Sequence, residues 1–204
     1  MIKFRPTLLV MERFLTVRPT VRGLLWLSFG TLLCSLPLLS EALQYDAAKT
    51  AMGQLWRPFT AWLVQLNLRH WLLNQWGLVV MGLLVPPRIS LADGVGLVTV
   101  WLVASIMLWA SDYGLYVGLS GLLYGWLVVL AAQSPYYSLP VRLVFIAAVS
   151  VKVCAENGWV SMPMASSSWV GDFIEADIAY RAHLWGLLAG LGFSALRWLV
   201  PARS

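Results

Sequence analysis

The feature that most limits what this chain can fold into is the length of its uncharged runs. Residues 23–40, 70–87, 94–111 and 113–141 contain no Lys, Arg, Asp or Glu. A helix needs about 20 apolar residues to cross a hydrocarbon core roughly 30 Å thick, so runs of this length read as membrane spans. Composition agrees. Of 204 residues, 60% are apolar and 11% charged, against roughly 45–50% and about 25% in soluble domains. A soluble domain of this size could not bury such a surplus. Soluble globular, disordered and collagen-like classes are therefore excluded, leaving an all-α polytopic membrane protein.

Prolines and charges set the spans. Pro135 and Pro140 break the longest run into a loop, a helix and a turn. The expected helices cover about 23–42, 58–84, 93–110, 120–134, 140–155 and 178–200, six in one domain covering residues 1–204. The fifth carries Arg142 and Lys152. The twelve tryptophans suit the two membrane interfaces. Cys34 and Cys154 form no CxxC or metal-spaced cluster, and no cofactor or metal is expected. No basic stripe points to nucleic acid. A basic leader and Ser40-Glu41-Ala42 resemble a cleavable signal sequence, but a retained first helix is the expectation.

Charge asymmetry orients the bundle. With residues 1–22 as a basic cytoplasmic N-terminus, Lys3, Arg5, Arg13, Arg18, Arg22, Arg88, Arg142, Arg197 and Arg203 lie inside, nine of the fourteen basic residues. Glu41, Asp46, Asp112, Glu156, Asp172, Glu175 and Asp177 then lie outside, seven of the nine acids. Both termini are cytoplasmic, which an even number of spans requires.

Against this apolar background the polar residues at depth stand out, because they are expensive there. The two histidines, His70 and His183, and Ser120 all fall within expected helices. Each lies 14 residues before a cytoplasmic helix end, at Leu84, Arg197 and Ser134 respectively. At about 1.5 Å per residue, all three sit about 21 Å above the inner boundary and share one level. The fourth helix is thus too short to span. Residues 112–119 must descend as irregular backbone, which is tolerated only inside protein or beside a watery cavity.

Gly121 and Gly125 are four apart on the fourth helix; Ala182, Gly186 and Gly190 are four apart on the sixth. Small residues at this spacing let two helices approach closely, which would bring Ser120 to His183. A serine needs an adjacent base to become a nucleophile. A helix N-terminus offers free N–H groups and a positive dipole end to an oxyanion. His70 and Asn74 share a face at i and i+4 and could add donors.

These residues resemble the rhomboid family of intramembrane serine proteases. Gly118-Leu119-Ser120-Gly121 resembles its GxSG motif, and the segment from Ala182 to Gly190 resembles its AHxxGxxxG. His70-Trp71-Leu72-Leu73-Asn74 resembles its HxxxN, and Leu55-Trp56-Arg57-Pro58-Phe59-Thr60 its first outer loop. The resemblance runs from about residue 53 to 192. It implies a six-helix fold with Ser120 as nucleophile and His183 as base. His70, Asn74 and the Ser120 N–H would form the oxyanion hole, and Tyr124 would pack on His183. Trp56 and Arg57 would hold the outer loop. One departure is Gln65, where many bacterial members carry another histidine.

The short chain with a bare six-span core resembles the rhombosortase branch. That branch implies substrates anchored in the lipid bilayer by a C-terminal transmembrane tail with a Gly-Gly motif. It also implies a bacterial inner membrane and a site opening to the periplasm. A dyad without an acid is expected. Asp177, six residues before His183, and its neighbours Glu175 and Asp172 read as solvated loop charges, and no buried third carboxylate is foreseen. The alternatives are a rhomboid protease with other transmembrane substrates, an inactive relative, a small transporter, or a haem protein ligated by both histidines. The last leaves Ser120 and its glycines without a purpose.

Overall fold

A computed structural model describes residues 19–86, 88–160, 168–174 and 178–199. Of the described residues, 76% are helical. In order the chain forms α1 (Pro19–Cys34), α2 (Pro37–Leu43), α3 (Ala47–Ala51), α4 (Arg57–Thr60), a 3₁₀ turn (Ala61–Leu63), α5 (Leu68–Leu84) and α6 (Leu91–Trp109). Then come α7 (Ser120–Gln133), α8 (Leu139–Glu156), α9 (Ser168–Ile174) and α10 (Tyr180–Leu199). The expected basic leader up to Arg18, and Glu175, Asp177 and Arg203, lie outside the described residues.

Local chemistry marks the helix starts. Asn67 caps α5 by accepting a hydrogen bond from the His70 N–H. Ser90 and Asp93 close a reciprocal capping box on α6. Pro140 stands in the first turn of α8, where a missing N–H is harmless.

The bundle is built around α7. This helix packs against α5, α6, α8 and α10, its contact with α10 being the most extensive between described helices. Ten of its fourteen residues are buried and none is exposed. The outer helices show the reverse pattern. Trp26 of α1 and Trp76 of α5 are 72% and 71% exposed, and Leu83, Val144, Leu196 and Leu199 are exposed as well. Such an apolar exterior would aggregate in water and fits lipid contact. Among the described residues, one helix (α6) is by itself long and apolar enough to cross a membrane. The bent pair α1 and α2 passes only if taken as one span.

The structure corrects two expectations. The first helix does not run unbroken over 23–42. It ends at Cys34, and α2 leaves at 97°, because Pro37 starts a new helix there. The second does not begin near 58. Pro58 belongs to the single turn α4, and the chain passes through the 3₁₀ turn and extended Val64 before Asn67 starts α5. The fold is mostly helical, as expected, with one short ladder beside the helices. Tyr45–Asp46 pairs antiparallel with Leu115–Tyr116.

That small ladder positions the site. It ties the segment after α2 to the irregular backbone that descends towards Ser120. Below it, the Gly118 N–H donates to the Ala61 carbonyl (3.3 Å), and the Tyr116 hydroxyl donates to the Gly118 carbonyl (3.0 Å). Arg57 is buried and clamps the segment between α2 and α4. It donates to the Glu41 and Gln44 carbonyls at 2.9 and 2.8 Å and to Gln54 Oε1 at 2.7 Å.

Candidate active site

Ser120 is the first residue of α7, and no side chain caps that helix. The opening N–H groups of a helix lack intrahelical partners, so those beside Ser120 point at whatever lies before it. The approach is set by Gly118 at φ +137°, a conformation open to glycine. A Cβ there would also lie 2.9 Å from the His70 ring.

α10 delivers His183. Its Nε2 lies 2.9 Å from Ser120 Oγ. The approach is possible because the two helices touch backbone to backbone. A Cβ on Gly186 would collide with the Gly121 carbonyl, and one on Gly125 with the Gly186 carbonyl. One on Gly121 would lie 2.8 Å from the Ala182 oxygen, and one on Gly190 2.5 Å from the Gly125 oxygen. Tyr124, one turn after Ser120, stacks on the imidazole with ring centroids 4.6 Å apart.

α5 supplies the opposite wall. The Leu66 N–H donates to His70 Nδ1 (3.4 Å). In a neutral imidazole this leaves the proton on Nε2, the nitrogen beside Gly118. Asn74 is buried and donates one amide hydrogen to Gln65 Oε1 (2.5 Å). Its second amide hydrogen has no acceptor among the described residues, and Asn74 lines a cavity of the site. Gln65, the departure from the resemblance, thus orients Asn74.

Two cavities meet at Ser120, His70 and His183. One of about 260 Å³ lies beneath the strand pair, lined by Gln44, Tyr116, Val117 and Ile178. The other, about 280 Å³, extends sideways past Asn74, Gly77, Leu123 and Leu127 to α8. Among the described residues, α5 and α8 each pack on α7 but scarcely on each other, which leaves a gap in the side wall. Across the gap lies α9, tied to α5 by the Asn67 amide donating to the Ile174 carbonyl (2.7 Å).

The expectation of no buried carboxylate is overturned. The residue responsible is Glu156. As the last residue of α8 it turns inward, with Oε2 3.1 Å from His183 Nδ1 and its side chain only 6% exposed. Its other oxygen pairs with Lys152, which donates to the Tyr124 hydroxyl (2.6 Å). The sequence carries a signal for this contact, a Lys and a Glu at i, i+4 in an otherwise apolar stretch. Asp172 is exposed.

Comparison with known proteins agrees with this geometry at the level of family. No curated protein matches the chain. The family model described as the Rhomboid domain matches residues 52–199, most of the chain, including the helices that carry His70, Asn74, Ser120, Glu156 and His183. The chain therefore belongs to the rhomboid family of integral membrane serine proteases.

Proposed function

We propose that this protein is an intramembrane endopeptidase working through Ser120 and His183, and that it removes C-terminal Gly-Gly sorting tails in the manner of rhombosortases. The observation that carries the reading is the 2.9 Å contact between Ser120 Oγ and His183 Nε2 where the two cavities meet. His183 takes the proton as Ser120 attacks the scissile carbonyl, then returns it to the leaving amine. Water entering beneath the strand pair hydrolyses the acyl-enzyme. The oxyanion is held by the first N–H groups of α7, His70 Nε2–H and the free Asn74 hydrogen.

Six helices of fourteen or more residues are described; in this reading five of them cross the inner membrane, α7 completes the sixth crossing together with the irregular segment 112–119, and the site lies towards the periplasm. The incomplete wall between α5 and α8 supplies the side entrance a membrane-embedded substrate needs. A substrate helix must unwind before its peptide bond can be attacked, since helical hydrogen bonds protect it. Two glycines lower that barrier by about 2 kcal/mol relative to two alanines, which favours a Gly-Gly tail.

The test is co-expression with tail-anchored candidates and mass spectrometry of the new C-terminus. Cleavage at Gly-Gly that disappears with Ser120→Ala supports the proposal. Cleavage confined to other transmembrane sequences would remove the tail specificity and leave a general protease. Replacing His70 or Asn74 with alanine should slow turnover by roughly 10–1,000-fold, the lower end applying where remaining donors compensate. Unchanged kcat in both variants would remove them from the oxyanion hole.

A further inference from the structure

We propose that Glu156 completes a Ser120–His183–Glu156 relay, acting as a positioning residue that sets which nitrogen of His183 carries the proton. The proposal rests on the protease reading above but goes beyond the acid-free dyad which the family resemblance implies.

The geometry is that of a carboxylate behind a base. His183 Nε2 faces Ser120 at 2.9 Å, and its Nδ1 faces Glu156 Oε2 at 3.1 Å. Glu156 is paired with the Lys152 ammonium and is therefore a carboxylate. A carboxylate only accepts hydrogen bonds, so Nδ1 must donate. The neutral imidazole then has its lone pair on Nε2, the form able to take a proton from Ser120. After that transfer the positive ring lies against a negative partner.

The surroundings hold this arrangement in place. Tyr124 covers one face of the ring, and its hydroxyl accepts from Lys152, the same ammonium that pairs with Glu156. Asn157 donates to the Tyr180 carbonyl (3.1 Å), tying the end of α8 to the start of α10 one turn before His183.

A purely structural ion pair fits the observations less well. In the pair with Lys152, the lysine is 56% exposed while the glutamate is 6% exposed and turned to the histidine. A helix C-terminus is moreover an unfavourable place for an acid, so this position gives α8 no local advantage. The inward contact with His183 accounts for both facts.

The experiment compares Glu156→Gln, Glu156→Asp and Ser120→Ala in detergent, measuring kcat and KM separately. Glutamine preserves shape, but its amide can donate to Nδ1 and so favour the tautomer with the proton on Nε2. The expected result is a kcat about 10²–10⁴-fold lower in Glu156→Gln, with KM little changed and partial recovery in Glu156→Asp. A kcat within twofold of wild type in Glu156→Gln, with Ser120→Ala inactive, overturns the relay alone. An active Ser120→Ala overturns both the relay and the protease reading. Should Glu156→Gln fail to fold, isotope-labelled histidine in the wild-type protein decides by magnetic resonance. The chain has only two histidines, so His70→Ala assigns the signals. A proton on Nδ1 of His183 supports the relay, and one on Nε2 overturns it.

Discussion

Replacing Ser120 with alanine is expected to lower cleavage by roughly 10⁴–10⁶-fold, and His183→Ala by a similar factor. The double variant should be no worse than either single one. Nucleophile and base act as a unit: without the base the hydroxyl stays protonated, and without the hydroxyl the base has nothing to activate. Labelling by a fluorophosphonate should vanish in both single variants, since it reports an activated serine. The protein should still reach the membrane, because Ser120→Ala removes about one hydrogen bond, worth about 1 kcal/mol. Multiplicative losses in the double variant, or full activity in Ser120→Ala, would refute the paired assignment.

The second large effect concerns packing. Gly186→Val is expected to destabilise the protein by roughly 3 kcal/mol or more. Its new Cβ would meet the carbonyl of Gly121, a backbone atom that cannot rotate aside. The helices would have to separate, and His183, nearly one turn away on α10, would move from Ser120. Activity should therefore fall with stability. Gly192 is the internal control. It lies on the same helix, but a Cβ there meets nothing within 4 Å. Gly192→Ala should leave activity intact and stabilise the protein by up to about 1 kcal/mol, through helix propensity alone. Thermal unfolding in detergent, with cleavage measured on the same samples, checks both. Equal behaviour of the two variants would show that backbone contact between α7 and α10 is not what holds the site.

The contrast between those glycines shows what was legible in the sequence. Spacing by four singled out Gly121, Gly125, Gly186 and Gly190, because helical periodicity converts spacing directly into a face. For the same reason the windows 93–110, 120–134, 140–155 and 178–200 lie within two residues of α6, α7, α8 and α10 at each end. Prolines and charges punctuate those segments. Where no charge intervenes, punctuation fails. The apolar stretch from Phe59 to Val64 looks continuous with α5, yet Ala61, Trp62 and Val64 are buried in a turn of their own. The only local marker was the cap residue Asn67. Glu156 was missed for a different reason. Its role depends on α8 and α10 lying side by side at their outer ends, and no local pattern encodes that.

The seclusion of α7 has a consequence for how the protein responds to different lipids. Helices facing the acyl chains adjust to hydrophobic mismatch by tilting, at a modest cost per ångström. α7 has no exposed residue, and its position is referenced to α10 through backbone contact. Bilayer thickness therefore acts on the outer helices and on how deep a substrate's cleavage site lies, while the spacing of Ser120 and His183 stays set by the protein. Thinner or thicker membranes should change which peptide bond is presented more than the rate at which a presented bond is cut.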